Sequence, residues 1–414
     1  MPQIPAGWEE TTLQLCTLPV QEKISLTQVS EDNYISTENM LPNIWWVVIS
    51  SGLPNINSIT KFQKWDILFS NIRTYFKKLW YATFTGGVSN DVLVFRGNYS
   101  KIYSKFLFYR LSDNSFFDYT IKTSKWTKMP RWDKEAIWNF PIHLPPLPEQ
   151  QAIAALLSSF DEKIELLRAE NQTLEQMGQE LFKERFGSPL APWRGNWDSL
   201  FTSWSKEKSP LGDLGASLPE GWRVGKLGEM GTIICWKTPS KNNSDFFWWN
   251  IPFIKIPDMH WNLFILKTED SLTEEGANSQ KNKYISEWTI CVSCIATVGL
   301  VSLTTKSSQT NQQINSIIPK FDNYREYLYY SLVWMKNELL AIGAWWSATL
   351  NINTTTFSNI SIIIPDQETL SKFDLVIKPL FNKIRTNSEQ IQTLLATRDQ
   401  LLPKLMSGEV RVEF

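Results

Sequence analysis

Between residues 149 and 186, apolar side chains recur at Ile153, Leu157, Phe160, Ile164, Leu167, Leu174 and Leu181, with Asn171 and Gly178 filling the remaining steps. The steps alternate four and three, the heptad signature of a helix packed lengthwise on another helix. A second stretch answers it near the C-terminus. There Leu370, Phe373, Ile377, Leu380, Ile384, Asn387, Ile391, Leu394, Arg398, Leu401 and Leu405 alternate three and four. A chain that folds back on itself lays these stripes together as an antiparallel coiled coil, a rod of about 54 Å at 1.5 Å per residue. Asn171 and Asn387 fall on the seams, where a polar residue costs stability but fixes register. Pro379 is expected to kink the second helix, and Pro403 and Gly408 to end it.

The sequence also repeats itself once, about 220 residues on. Pro5-Ala6-Gly7-Trp8 returns as Pro219-Glu220-Gly221-Trp222. The strand-like run from Trp65 is echoed from Trp288, and Ser89-Asn90 by Thr310-Asn311. Pro148-Glu149-Gln150 returns as Pro365-Asp366-Gln367, each opening a heptad helix. The repeat is therefore a globular region plus a helix. Short runs of Ile, Val, Phe and Tyr alternate with Asn/Ser/Thr/Gly loops, so the globular parts are mixed α/β (α+β) with much sheet. Residues 321–343 read as helical, with a shorter counterpart at 102–112. The expected organisation is a globular domain at 1–147, a spacer helix at 148–186, a linker at 187–217, a second domain at 218–364 and a second helix at 365–408.

Composition bounds the class. With 43% hydrophobic and 20% charged residues the chain is of globular type, and its longest apolar runs are far too short to span a membrane. Four cysteines and no secretory signal point to a reducing compartment, a cytoplasm. The formal net charge is −1, but thirteen basic residues stand against four acids between Lys61 and Arg131. A basic globular region beside an acidic helix is what a DNA reader on a spacer shows.

Signals for catalysis are nearly absent. His143 and His260 are isolated, and isolated histidines are usually structural. Cys291 and Cys294 lie three apart in an apolar strand, so their side chains point to opposite faces and no metal site is expected. Gly225, Gly228 and Gly231 form no nucleotide-binding loop. No catalytic residue and no cofactor is assigned.

What remains is a set of polar and basic loops with the chemistry to read DNA. Asn71, Arg73, Thr74, Lys77 and Lys78 follow one strand; Lys122, Lys125, Lys128 and Arg131 form a second run. In the second repeat, Lys237, Lys241 and Asn242 form one candidate loop, and Lys306, Asn311, Gln312 and Gln313 another. Arg and Lys suit phosphates and guanine edges, while Asn and Gln can pair with adenine.

Tryptophan, at 20 residues, outnumbers glycine at 18. Trp65 and the doublets at 45–46, 248–249 and 345–346 sit at strand-to-turn junctions, where glycine is usual. Two readings fit: aromatics that stack on bases, or a sequence altered at former glycine positions. The junction placement favours the second.

Two tandem globular units, each followed by a Pro-initiated helix, resemble the specificity (S) subunit of type I restriction-modification enzymes. Leu144-Pro145-Pro146-Leu147-Pro148-Glu149-Gln150-Gln151, the C-terminal Leu401-Leu402-Pro403-Lys404-Leu405-Met406-Ser407-Gly408 and the paired Pro-x-Gly-Trp openings carry the resemblance. Segments 34–40 and 86–91 also look like parts of its target recognition domains. The second helix departs from the pattern, opening on Pro365-Asp366-Gln367-Glu368. The resemblance implies a non-catalytic subunit whose two domains each read half of an asymmetric, interrupted site on double-stranded DNA. It implies helices that set the spacing and dock two methyltransferase subunits, with restriction subunits outside them. S-adenosylmethionine, ATP and Mg²⁺ would belong to those partners. The competing readings are a coiled-coil adaptor and a methyltransferase fused to its own reader.

Overall fold

The computed structural model describes residues 4–42, 46–72, 76–123, 133–190, 218–235, 238–239, 243–279, 284–345 and 350–413. The chain divides into two compact units, one of Met1–Glu165 with Gln392–Phe414, the other of Leu166–Ile391.

The first unit is built on an antiparallel sheet ordered Thr17–Leu18, Val92–Gly97, Ile67–Ser70, Leu79–Tyr81. Ile67, Leu68 and Phe69 are all buried, because the sheet is covered on both faces. Ile67 and Phe69 pack against the helices with Phe106, Phe116 and Phe140. Leu68 faces a second sheet of Lys23–Ser25, Ser58–Phe62, Gly86–Val88 and Tyr34–Ile35, through Phe62 and Val88. A two-stranded ribbon pairs Glu9–Thr12 with Pro141–Leu144.

The second unit repeats the main sheet of this plan, while its second sheet has three strands, Asp270–Leu272, Phe247–Ile254 and Gln309–Thr310, in place of four. Its main sheet runs Gly231–Cys235, Ile314–Pro319, Ile290–Ser293, Val301–Thr304, with Phe264–Ile265 added in parallel at the edge. Its ribbon pairs Arg223–Lys226 with Ser361–Ile364. The correspondence reaches single hydrogen bonds. Asn71 N–H donates to the Asp91 carbonyl at 2.7 Å, and Cys294 N–H to the Gln313 carbonyl at 2.8 Å, at equivalent places in the two repeats.

The helices of the two units are also alike, which corrects the expectation of unequal counterparts. Residues 102–123 form two helices, Ser104–Ser112 and Asn114–Thr123, and the expected single helix at 321–343 is likewise two, Arg325–Trp334 and Lys336–Trp345. In the first unit the break is at Asp113, whose carboxylate accepts the Ser115 N–H at 3.0 Å and restarts the helix as a cap.

Each unit holds part of both long helices, Leu147–Leu190 and Gln367–Ser407. In the first unit Ile153 and Leu157 pack with Leu402, Leu405 and Met406. In the second, Ile164's successors on the stripe give way to Phe182 and Phe186, which meet Phe373 at centroid distances of 6.0 and 5.0 Å. Rising numbers on one helix meet falling numbers on the other, so the pairing in each unit is antiparallel. Asn171 and Asn387 bond to each other at 2.9 Å, and Asn387 also reaches Glu170 at 2.9 Å.

Six apolar seam positions are less buried than the stripe implies: Phe160, Leu174, Leu181, Leu380, Leu394 and Leu401 are only partly buried, while Phe182, Phe186, Phe381 and Leu402 are buried. A straight helix turns 3.6 residues per turn, so a strict 3.5 stripe drifts by one position over several heptads. Pro403 does not end the second helix, which runs from Gln367 to Ser407 and contains Pro379 as well. The carbonyls that Pro379 and Pro403 leave unbonded belong to Leu375 and Asp399, both exposed to water. Gly408, at φ +73°, ends the helix as expected.

The two sequence motifs at each unit's base prove to be one device. The Pro-x-Gly-Trp turn, with Gly7 at φ +83° and Gly221 at +81°, aims a tryptophan at the acid opening the long helix. Trp8 Nε1 donates to Glu149 at 3.1 Å, and Trp222 Nε1 to Asp366 at 2.9 Å. Glu149 is completely buried and also takes both arms of Arg411.

Burial pushes Glu326 and Glu338 up to about 7. Arg325 opposes the shift at Glu326, bonding its carboxylate at 2.6 and 2.8 Å, and nearby Asp374 adds to it. A carboxyl raised in the folded state contributes stability below its unfolded value near 4.5 and loses it as pH rises through about 7. Glu338 has burial as the cause of its shift and no ion pair to lose among the described residues, so Glu338→Gln is expected to match the parent in thermal unfolding at about pH 5 and to exceed it at about pH 8. A variant no more stable at the higher pH contradicts this.

Candidate nucleic-acid interface

The loops singled out by their chemistry divide into three groups. Arg73, Thr74, Lys125, Lys128, Arg131, Lys237, Lys241 and Asn242 lie outside the described residues. A second group is turned inward. Asn71 is buried against the Asp91 turn, with its side-chain carbonyl unbonded. Lys77 donates to Asn114 at 2.8 Å and Lys78 to the Thr37 carbonyl at 2.6 Å, so both tie their loop to the body of the domain. Asn311 is buried and exchanges 3.0 Å bonds with Gln313, which shapes the turn rather than presenting a free edge.

The third group is available to a ligand. Lys122 and Lys306 are exposed, as is Gln312. Gln312 accepts from the Thr238 hydroxyl at 2.7 Å, and its backbone carbonyl accepts from Cys235 Sγ at 3.6 Å. The structure thus joins the 311–313 turn to the loop after Gly231–Cys235, two segments the sequence left separate. Thr238 carried no signal, because a loop threonine is legible only through its partner.

The basic excess between Lys61 and Arg131 is smaller on the surface than in the sequence. Arg96 is committed to Asp66 and Glu22, Lys61 to Glu22, and Arg110 to Asp113. Lys105 is held over the Tyr81 ring at 4.4 Å, where burial lowers its pKa. With Lys77 and Lys78, six of the thirteen are spent internally. Lys64, Lys101 and Lys122 remain exposed among the described residues.

The cysteine pair behaves as strand geometry requires. Cys291 packs with Ile254 and Ile314 on one side of the sheet, Cys294 with Ile290 and Ile352 on the other. Burial pushes both thiols up to about 12.

One α/β head made twice, each on its own stretch of paired helix, defines a tandem recognition module. The family model described as the type I restriction modification DNA specificity domain matches twice, at residues 7–176 and 219–396. The HindI type I restriction enzyme specificity subunit of Haemophilus influenzae is 34% identical, over 98% of this chain and 100% of its own. The MjaIX specificity subunit of Methanocaldococcus jannaschii is 28% identical, over 75% of this chain and 70% of its own. The solved S subunit of a type I system from M. genitalium shares the fold, with a TM-score of 0.56 at 14% identity over 98% of this chain and 96% of that one. The chain belongs to the family of type I restriction-modification specificity subunits, and its function is DNA sequence recognition.

Proposed function

We propose that this chain reads DNA for a complex whose chemistry resides in other subunits. Each unit reads one half of an asymmetric, interrupted site in double-stranded DNA. The long helices set the spacing of the halves and dock two methyltransferase subunits, with restriction subunits outside them. S-adenosylmethionine, ATP and Mg²⁺ act on those partners, in a cytoplasm.

The observation that carries this reading is the duplication itself. The two heads share the four-strand order of the main sheet and equivalent hydrogen bonds at its ends, while their exposed loops carry different polar side chains. A fold held constant with loops varied is a means of reading two different sequences.

The test is DNA binding by the chain assembled with its methyltransferase subunits, at several salt concentrations. Counterion release predicts an affinity falling on the order of 10³-fold between about 50 and about 200 mM salt. Binding without salt dependence, or none, overturns the reading in favour of a scaffold. S-adenosylmethionine binding by the isolated chain would instead favour a methyltransferase fused to its own reader.

A further inference from the structure

Six non-glycine residues among those described take a positive φ, and four are tryptophans: Trp65 at 75°, Trp248 at 76°, Trp261 at 65° and Trp288 at 66°. Tryptophan is 20 of 414 residues, so this concentration is far from its share of the chain. A left-handed backbone sets Cβ against the following carbonyl, which glycine alone avoids.

The repeat makes the same point twice. Trp65 N–H donates to the Ala82 carbonyl at 2.7 Å, and Trp288 N–H to the Thr304 carbonyl at 2.9 Å. The next residue then bonds back three positions, Asp66 to Gln63 and Thr289 to Ser286. One turn, leading into the same central strand of each unit, demands the left-handed conformation at equivalent places. Trp248 sits where the Phe247–Ile254 strand slips register against its neighbour, a bulge that also favours glycine.

Three of the four indoles point largely to solvent. Trp65, Trp248 and Trp261 are 51%, 72% and 95% exposed. None of the four indole N–H groups donates a hydrogen bond among the described residues. Trp288 does pack against the core, edge-on to Phe264 at 5.4 Å and with Arg325 at 4.3 Å and Arg385 at 4.8 Å from its ring, but those contacts give its backbone no reason to turn left-handed. Trp8 and Trp222 are the contrast, each with its N–H on a carboxylate and its φ outside the left-handed region. The chain is also short of glycine. It has 18, where average usage would give about 29.

We propose that the protein made in its own host carries glycine at positions 65, 248, 261 and 288, its gene holding UGA there and the host reading UGA as glycine. UGA lies one base from both the tryptophan codon UGG and the glycine codon GGA, so one reassigned codon accounts for all four positions. Trp8 and Trp222 are written UGG and remain tryptophan. The inference stands independently of what the heads bind.

Sequencing the gene and mapping peptides of the protein from host cells by mass spectrometry tests this directly. UGA codons and glycine-bearing peptides at the four positions are expected, with UGG and tryptophan at 8 and 222. A UGG codon or a tryptophan-bearing peptide at any of the four overturns the proposal. A second measurement addresses the physical cause. The chain carrying Trp65→Gly, Trp248→Gly, Trp261→Gly and Trp288→Gly should melt higher than the tryptophan chain, by about 2–4 °C per site. The four alanine replacements keep the Cβ and should recover little of that gain. Alanine equal to glycine, or no gain with glycine, overturns the left-handed argument.

Discussion

Phe182→Ala is expected to lower the unfolding free energy of the second unit by about 3–5 kcal/mol, in the range of buried aromatic truncations. Phe182 is 1% exposed and stands at the centre of an aromatic cluster. Its ring lies 5.1 Å from Phe186, 5.8 Å from Tyr327, 5.8 Å from Tyr330 and 6.0 Å from Phe373. These residues come from the first long helix, the head and the second long helix, so one side chain joins three elements of the unit. Gly178, one turn earlier, leaves the space that the Tyr330 hydroxyl occupies. Leu181→Ala should cost markedly less, because Leu181 only flanks the cluster. Denaturant unfolding of both variants checks this. Equal losses would return the seam to Leu181 and contradict the packing described.

Arg96→Ala is expected to destabilise the first unit by about 3–5 kcal/mol, because it strands a buried carboxylate. Asp66 is 1% exposed and takes Arg96 through two bonds of 2.8 Å, with the Gln63 N–H at 2.7 Å as its other donor. Arg96 also reaches Glu22 at 2.7 Å. Asp66 and Arg96 raise little net energy as a pair, since each had to leave water to meet the other. The large cost arises from breaking the pair. The double variant Asp66→Ala with Arg96→Ala should therefore be more stable than Arg96→Ala alone. If the losses simply add, the carboxylate was not stranded and the account of this network fails.

Much of the architecture was legible because it rests on periodicity and repetition. The heptad stripes marked both long helices, and Asn171 and Asn387 meet as their seam positions implied. The repeat of Pro-x-Gly-Trp and of Pro-Glu-Gln marked the two units. Phase was less legible. Phe182, Phe186 and Phe381 lie one position off the stripe, and only the accumulated twist of a real helix places them inward. Polar chemistry was least legible. Lys77, Lys78, Asn71 and Asn311 have the side chains of DNA readers, yet their partners are Asn114, a backbone carbonyl or a neighbouring turn. Composition gives a side chain's capability; only the fold decides whether that capability is already spent. The tryptophans at junctions were visible as oddities at Trp65 and Trp248, but Trp261 and Trp288 emerged from backbone angles alone.

The central claim is that two separately folded heads each read one half of a divided site. Its most direct test is methylation mapping in cells that express this chain with its methyltransferase and restriction subunits, repeated after the first head is exchanged for that of a relative. The account predicts one asymmetric, interrupted motif, with the exchange altering one half and leaving the other unchanged. A single uninterrupted motif, or an exchange that changes both halves together, would contradict it.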